Sequence, residues 1–197
     1  SLSVTNVEDP TVISGDFQKQ GLEDNILTGT IQVSDNDGLT NDSYLAITTS
    51  PNGGVASIDT GTGSWTYNPY ADFFGTDQFV LKMNEGDRYG LLNFKIKVNG
   101  VPDPPQFTSI VEDNLLVEEG TPFEMKLFAD DPDGQSIRFQ LVSPVWDLDP
   151  WIELTDTGED GEVLLVGVPK VSSKGNLSPY KILAIDESGR FDKLSLD

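Results

Sequence analysis

Short runs in which apolar and polar residues alternate recur along the whole chain, broken by glycine-, asparagine- and proline-rich punctuation. In LLNFKIKV (91–98), Phe94, Ile96 and Val98 fall on one face of an extended strand. Similar segments are TGTIQVSD (28–35), SYLAITTS (43–50), SWTYNP (64–69) and DQFVLKM (77–83). Turn signals at SPNGG (50–54), TGTGS (60–64) and NEGD (84–87) separate them. After NGVPDPP (99–105) the pattern restarts with NLLVEEG (114–120), PFEMKLFAD (122–130), IRFQLVS (137–143), EVLLVGVP (162–169) and PYKILAID (179–186). No stretch carries convincing helical periodicity. The pattern predicts an all-β chain of two tandem β-sandwich domains, residues 1–101 and 102–197.

An internal repeat supports that division. Asp35 and Asp37 in SDNDG stand 96 positions before Asp131 and Asp133 in DDPDG. Asp9 in VEDP precedes Asp103 in VPDPP by 94 positions, and Glu23 in LEDN precedes Glu118 in VEEG by 95. Three acidic landmarks in one order, at nearly one offset, describe a unit of about one sandwich domain.

Composition then narrows the chemistry. The chain has neither cysteine nor histidine, which excludes disulfides, zinc and iron–sulfur sites, thiol nucleophiles and a Ser-His-Asp arrangement. Thirty-three carboxylates against twelve basic residues give a net charge of −21, unfavourable for nucleic acid or anionic lipid. No apolar run is long enough to insert in a membrane. Hard cations bound by oxygen, calcium above all, remain as metals. Carboxylate-only catalysis survives on composition alone, and no motif supports it, so an enzyme is not expected. The chain starts at Ser1 without Met and stops in the strand-like KLSLD (193–197), which leads us to expect a segment of something longer.

The chain resembles the cadherin-like repeats of large bacterial surface proteins and adhesins. The first unit is similar to the repeat type named after Vibrio, Colwellia, Bradyrhizobium and Shewanella (VCBS), through NVEDPTVISGD (6–16), EDNILTGTIQVSDNDG (23–38), ASIDTGTGSWTYNP (56–69) and FFGTDQFVLKMNEGD (73–87). The second resembles the dystroglycan-type cadherin-like domain, through PPQF (104–107), VEEGTPF (117–123), ADDPDG (129–134), PWIELTDTGEDGEVLLVGVP (150–169) and AIDESG (184–189).

The resemblance implies calcium at the junctions between consecutive domains. It implies Glu23 as ligand from the upstream domain, Asn99 and Asp103 from the linker, and Asp131, Asp133 and Asp186 from the downstream domain. Asp72 and Asp77 fall near the family's mid-domain acidic ligand. A second, half-built site at the start of the chain would use Asn6, Glu8, Asp9, Asp35, Asp37 and Asp87. Pro102 and Pro104 stand where the family's linker is richer in ligands, so one or two ions are expected rather than three.

Two functions follow as expectations. One is a calcium-stiffened extender or adhesion segment, extracellular or on the cell surface, whose partners are neighbouring repeats and a surface polysaccharide or another surface protein. The other is a carbohydrate-binding sandwich that uses exposed aromatics, with Trp146 the candidate and Trp65 and Trp151 expected in the core. Asp-x-Asp-Gly also makes a good turn, since Asp bonds nearby backbone and Gly tolerates positive φ. An EF-hand does not fit: counted from Asp35, its fifth, sixth and twelfth positions are Leu39, Thr40 and Ala46.

Overall fold

The alternating segments fold as strands, and no helix occurs among the described residues. The computed structural model describes residues 2–4, 7, 9–39, 44–85, 88–109, 117–143, 151–170 and 180–196. The chain divides into two compact units, Ser1–Val101 and Pro102–Asp197.

In unit 1, β1 (Val12–Gly15), β3 (Leu27–Ser34), β6 (Ser64–Pro69) and β5 (Gly54–Ile58) form one sheet in the order β1-β3-β6-β5. The facing sheet runs β2-β8-β7-β4, from β2 (Gln18–Leu22), β8 (Arg88–Asn99), β7 (Gly75–Glu85) and β4 (Tyr44–Thr49). All pairings are antiparallel except β2 with β8, which runs parallel from Gln18↔Lys95 to Leu22↔Asn99. The inward positions of both sheets form one aromatic core. Phe79 and Phe94, directly opposite on β7 and β8, stack at 4.5 Å, and Trp65 meets them edge-on at 5.8 and 5.5 Å. Gly29, paired with Trp65, makes room for the indole: a Cβ there would lie 2.5 Å from Trp65 Cζ2.

In unit 2, β9 (Gln106–Phe107), β10 (Phe123–Asp130), β13 (Glu162–Gly167) and β12 (Ile152–Asp156) form a sheet ordered β12-β13-β10-β9. The second sheet is β11 (Arg138–Val142), β14 (Lys181–Ile185) and β15 (Phe191–Ser195). Leu127, Ile152, Leu165 and Ile182 fill the space between them. Residues 117–120, expected at the end of a strand, instead lead into a turn closed by Thr121 N–H to Glu118 O at 3.1 Å, with Gly120 at φ 74° and its N–H donating to Pro169 O at 2.9 Å. Its left-handed φ is a conformation that suits glycine and ends extended pairing.

Candidate metal centres

Each unit has one sequence-predicted Asp-x-Asp-Gly loop immediately after a core strand, and both loops close in the same way. After β3, Asp35 Oδ1 accepts the Asp37 N–H at 2.7 Å and Asp35 O accepts the Gly38 N–H at 3.2 Å. After β10, Asp131 Oδ1 accepts the N–H of Asp133 at 2.9 Å and of Gln135 at 3.1 Å, while Asp131 O accepts the Gly134 N–H at 3.0 Å. Gly38 and Gly134 sit at φ 87° and 69°, where a Cβ would be strained. The second aspartate of each loop reaches back to the start of its unit. Asp37 Oδ2 takes the Asp9 N–H at 2.6 Å, and Asp133 Oδ2 takes the Asp103 N–H at 2.6 Å. The turn function therefore uses Oδ1 of the first aspartate and leaves its Oδ2 for something else. Asp35 Oδ2 has a long contact from the Thr11 hydroxyl at 3.4 Å, whereas Asp131 Oδ2 is buried with no hydrogen-bond partner. A buried carboxylate oxygen without a donor is costly.

Asp186 stands at the tight hairpin between β14 and β15 and is only 3% exposed. Burial acts to raise its carboxyl pKa. The Ser188 hydroxyl and the backbone N–H groups of Arg190, Gly189 and Ser188 outweigh that and hold it below the ordinary carboxylate value. Among the described residues, Asp131, Asp133 and Asp186 do not form a set whose ligand oxygens all lie within 4.8 Å of one another.

The opposite pole of unit 1 has its own carboxylates. Glu23, 2% exposed, follows β2 directly. Its backbone N–H donates to Asn99 O at 3.0 Å, and its Oε1 accepts the Val101 N–H. The Asn99 side chain donates to Gly21 O at 3.1 Å, fixing the end of β8 against β2. Asp24 and Asp72 are the non-glycine residues with positive φ among the described residues, at 57° and 58°, and their carboxylates approach within 4.8 Å. Asp24 was not among the expected ligands. The Glu-Asp-Asn run carried a signal, since Asn25 caps the same turn through Glu23 O at 2.9 Å.

Asp77, expected near a mid-domain ligand, has a different occupation. Its Oδ1 accepts the N–H of Asn52 and Gln78 at 3.1 and 2.8 Å, and its Oδ2 accepts the Gly53 N–H and the Tyr67 hydroxyl at 2.8 and 2.9 Å. Burial acts to raise its pKa, but the N–H groups of Asn52, Gly53 and Gln78 and the Tyr67 hydroxyl prevail and lower it. Burial and the neighbouring Asp77 together raise the Tyr67 phenol well above its ordinary value. Four donors on two oxygens make Asp77 a pin between the 50–53 turn and β7.

Asn6, Glu8, Asp87 and Trp146 lie outside the described residues. Trp65 is 1% exposed in the core of unit 1, and Trp151 packs edge-on against Phe123 at 5.7 Å beside the core of unit 2.

Residues 8–90 match the family model described as bacterial Ig domain. Both units are all-β with two sheets each, and the match makes unit 1 Ig-like. No curated protein matches the sequence. Among solved structures the chain is similar to human protocadherin-24 EC1-2, at 13% identity over 96% of this chain and 93% of that one, with a TM-score of 0.43. It is similar to titin domains Z1Z2 in complex with telethonin, at 12% identity over 98% of each chain, TM-score 0.38. An endo-fucoidan hydrolase of glycoside hydrolase family 107 is similar at 16% identity, TM-score 0.42; there the match covers 93% of this chain and 27% of the hydrolase.

Proposed function

We propose that the chain is a non-catalytic extender segment of a secreted or cell-surface bacterial protein, stiffened by calcium, with neighbouring repeats as its partners. The observation that carries this reading is the doubled carboxylate loop, built with the same hydrogen bonds in both units, together with the orphaned buried Oδ2 of Asp131. The donor set fits the ion: every candidate offers oxygen, and calcium takes six to eight oxygen ligands.

Within unit 1 the candidate holders at its later pole are Glu23, Asp24, Asp72 and the linker residue Asn99. Unit 2 has its own candidates in Asp103, Asp131, Asp133 and Asp186. Asp77 is left out because its oxygens are already saturated. Asp9, Asp35 and Asp37, with Glu8, would serve a preceding repeat in the same way. When bound, calcium neutralises the crowded carboxylates. The chain's own residues supply preorganisation: Oδ1 of Asp35 and Asp131 fixes each loop, and Asp37 and Asp133 tie it to the start of its unit. At ten times its dissociation constant, one ion adds about 1.4 kcal/mol of stability.

The test is a calcium titration of chelated protein, following melting temperature and small-angle scattering together. A higher melting temperature with a longer, better-defined shape supports the reading. No change up to about 10 mM, above the ~10⁻⁴–10⁻³ M range of extracellular modules, overturns it.

A further inference from the structure

The basic residues of unit 1 are not scattered. All five Lys and Arg of unit 1 lie on β2, β7 or β8, strands of a single sheet. On β7 and β8 the core takes Phe79, Leu81, Phe94 and Ile96, so the alternate residues face outward. Those outward positions place Lys97 beside Thr76, Lys95 beside Gln78 and Lys82 beside Leu91. On the other flank, Gln18 pairs with Lys95 and Gln20 with Lys97. None of these outward positions is a carboxylate.

The corresponding sheet of unit 2 repeats the arrangement. Ile182, Ala184 and Leu194 face its core, which turns Arg138 and Gln140 of β11, Lys181 of β14 and Lys193 of β15 outward. No carboxylate stands at these strand positions, though Asp186 and Glu187 of the β14–β15 turn share a groove with Arg138. Among the described residues the ion pair formed is Lys126–Glu162 at 2.7 Å, on the other sheet of unit 2, and none of these six cations takes part in one.

We propose that these two sheet faces bind an anionic polysaccharide. In unit 1 the face holds an open groove of about 720 Å³, whose lining includes Gln18, Gln20, Thr76, Gln78, Lys95 and Lys97, a volume in the range of small-ligand sites. Asp77 also lines it, with both oxygens already taken by four donors. Lys95 and Lys97 are two residues apart on one strand, about 7 Å, so both side chains leave the same face of the sheet. Each is flanked by amide or hydroxyl groups that both donate and accept, which suits sugar hydroxyls. A protein partner fits less well: protein interfaces are depleted in lysine and anchored by buried aromatics or arginine, and this groove is lined by neither.

The net charge does not forbid a polyanion. At physiological salt, exposed charges beyond about 8 Å are largely screened. Apart from Asp77, which is buried and fully hydrogen-bonded on β7, the candidate ligand carboxylates described above sit in loops. One face per unit also gives a polymer two attachment points on one chain, which raises avidity without new contacts. The proposal is independent of calcium.

The test is affinity electrophoresis of the intact chain in EDTA and 0.15 M NaCl, through gels containing alginate, dextran sulfate, neutral dextran or poly-L-glutamate. Retention by alginate or dextran sulfate, but not by dextran or polyglutamate, is expected; which of the two retains it separates uronate from sulfate chemistry. The triple variant Lys82→Gln, Lys95→Gln, Lys97→Gln should weaken retention about tenfold. Adding Arg138→Gln, Lys181→Gln and Lys193→Gln should abolish it, while Lys126→Gln on the other sheet should not. Melting temperatures confirm that the variants fold, and wild-type retention should also fall as salt rises. Equal migration of the wild type in all gels, equal retention of the triple variant, or equal binding to polyglutamate overturns the proposal.

Discussion

The backbone N–H of Asp103 donates to Asp133 Oδ2 over 2.6 Å, thirty residues on in the same unit. It latches the first residues of unit 2 onto the Asp-x-Asp-Gly loop, and Asp9 with Asp37 makes the same latch in unit 1. A carboxylate placed this way orders the start of its unit through one oxygen.

Asp133→Ala should act twice. In EDTA it removes one charge-assisted hydrogen bond, a loss of about 1.5–3 kcal/mol before discounting its partial exposure. With calcium added, the melting temperature should rise less than it does for the wild type. Differential scanning calorimetry with and without calcium separates the two effects; an undiminished calcium response would remove Asp133 from the ligand set.

Asp77→Ala should act in the opposite way, on stability alone. It strands the Tyr67 hydroxyl and three N–H groups, so about 3 kcal/mol or more should be lost, lowering the melting temperature by some 10 °C or more. The increment given by calcium should be unchanged. A melt of the variant across a calcium series checks both statements.

Acid should destabilise the metal-free protein through Asp77 and Asp186. Both carboxyls have folded-state pKa values below the ordinary 3.8. Their contribution is therefore present above the unfolded value and is lost as pH falls through the lower, folded one. In EDTA the melting temperature should be nearly flat above about pH 5 and fall progressively below about pH 4. Asp77→Asn should flatten part of that fall, since an amide does not titrate there. A pH series of thermal melts on both proteins measures the difference.

Gly29→Ala tests the aromatic core. The added methyl would come 2.5 Å from Trp65 Cζ2, so the indole must shift away from Phe79 and Phe94. Overpacking of this kind costs about 1–3 kcal/mol. Near-UV circular dichroism should lose tryptophan signal while the far-UV strand signal persists below the melt.

The strands legible in the sequence are those whose alternation is clean. β3, β4, β6, β7 and β8 in unit 1, and β10 and β11 in unit 2, lie where apolar residues recur at every second position, while β13 (VLLV) and β14 (ILAI) were legible as short continuous apolar runs. The strands it hid are mostly short ones at sheet edges. β2, QKQGL, has a single apolar side chain, Leu22, and even that is 50% exposed; the strand exists because β8 offers it a parallel partner. The acidic loops were legible because they repeat. The occupation of Asp77 was half-legible, since it is in phase with the inward Phe79 and Leu81, and an inward aspartate calls for buried donors. The Asp24–Asp72 approach was not legible, because the Glu-Asp-Asn run marks a turn at Asp24 but nothing in the sequence brings Asp72, itself left-handed, to it.

The parallel pairing of β2 with β8 gives unit 1 a mechanical character. β2 lies near the unit's entry and β8 ends at its exit, so tension drawn through the two ends pulls these strands in opposite directions along their length. The five register pairs from Gln18↔Lys95 to Leu22↔Asn99 are then loaded in shear and must yield together, whereas an antiparallel hairpin pulled at its open end would unzip one rung at a time. β1, held to β3 by four pairs on the other sheet, stands ahead of that clamp and is the piece that can peel first, lengthening the chain before the core is stressed.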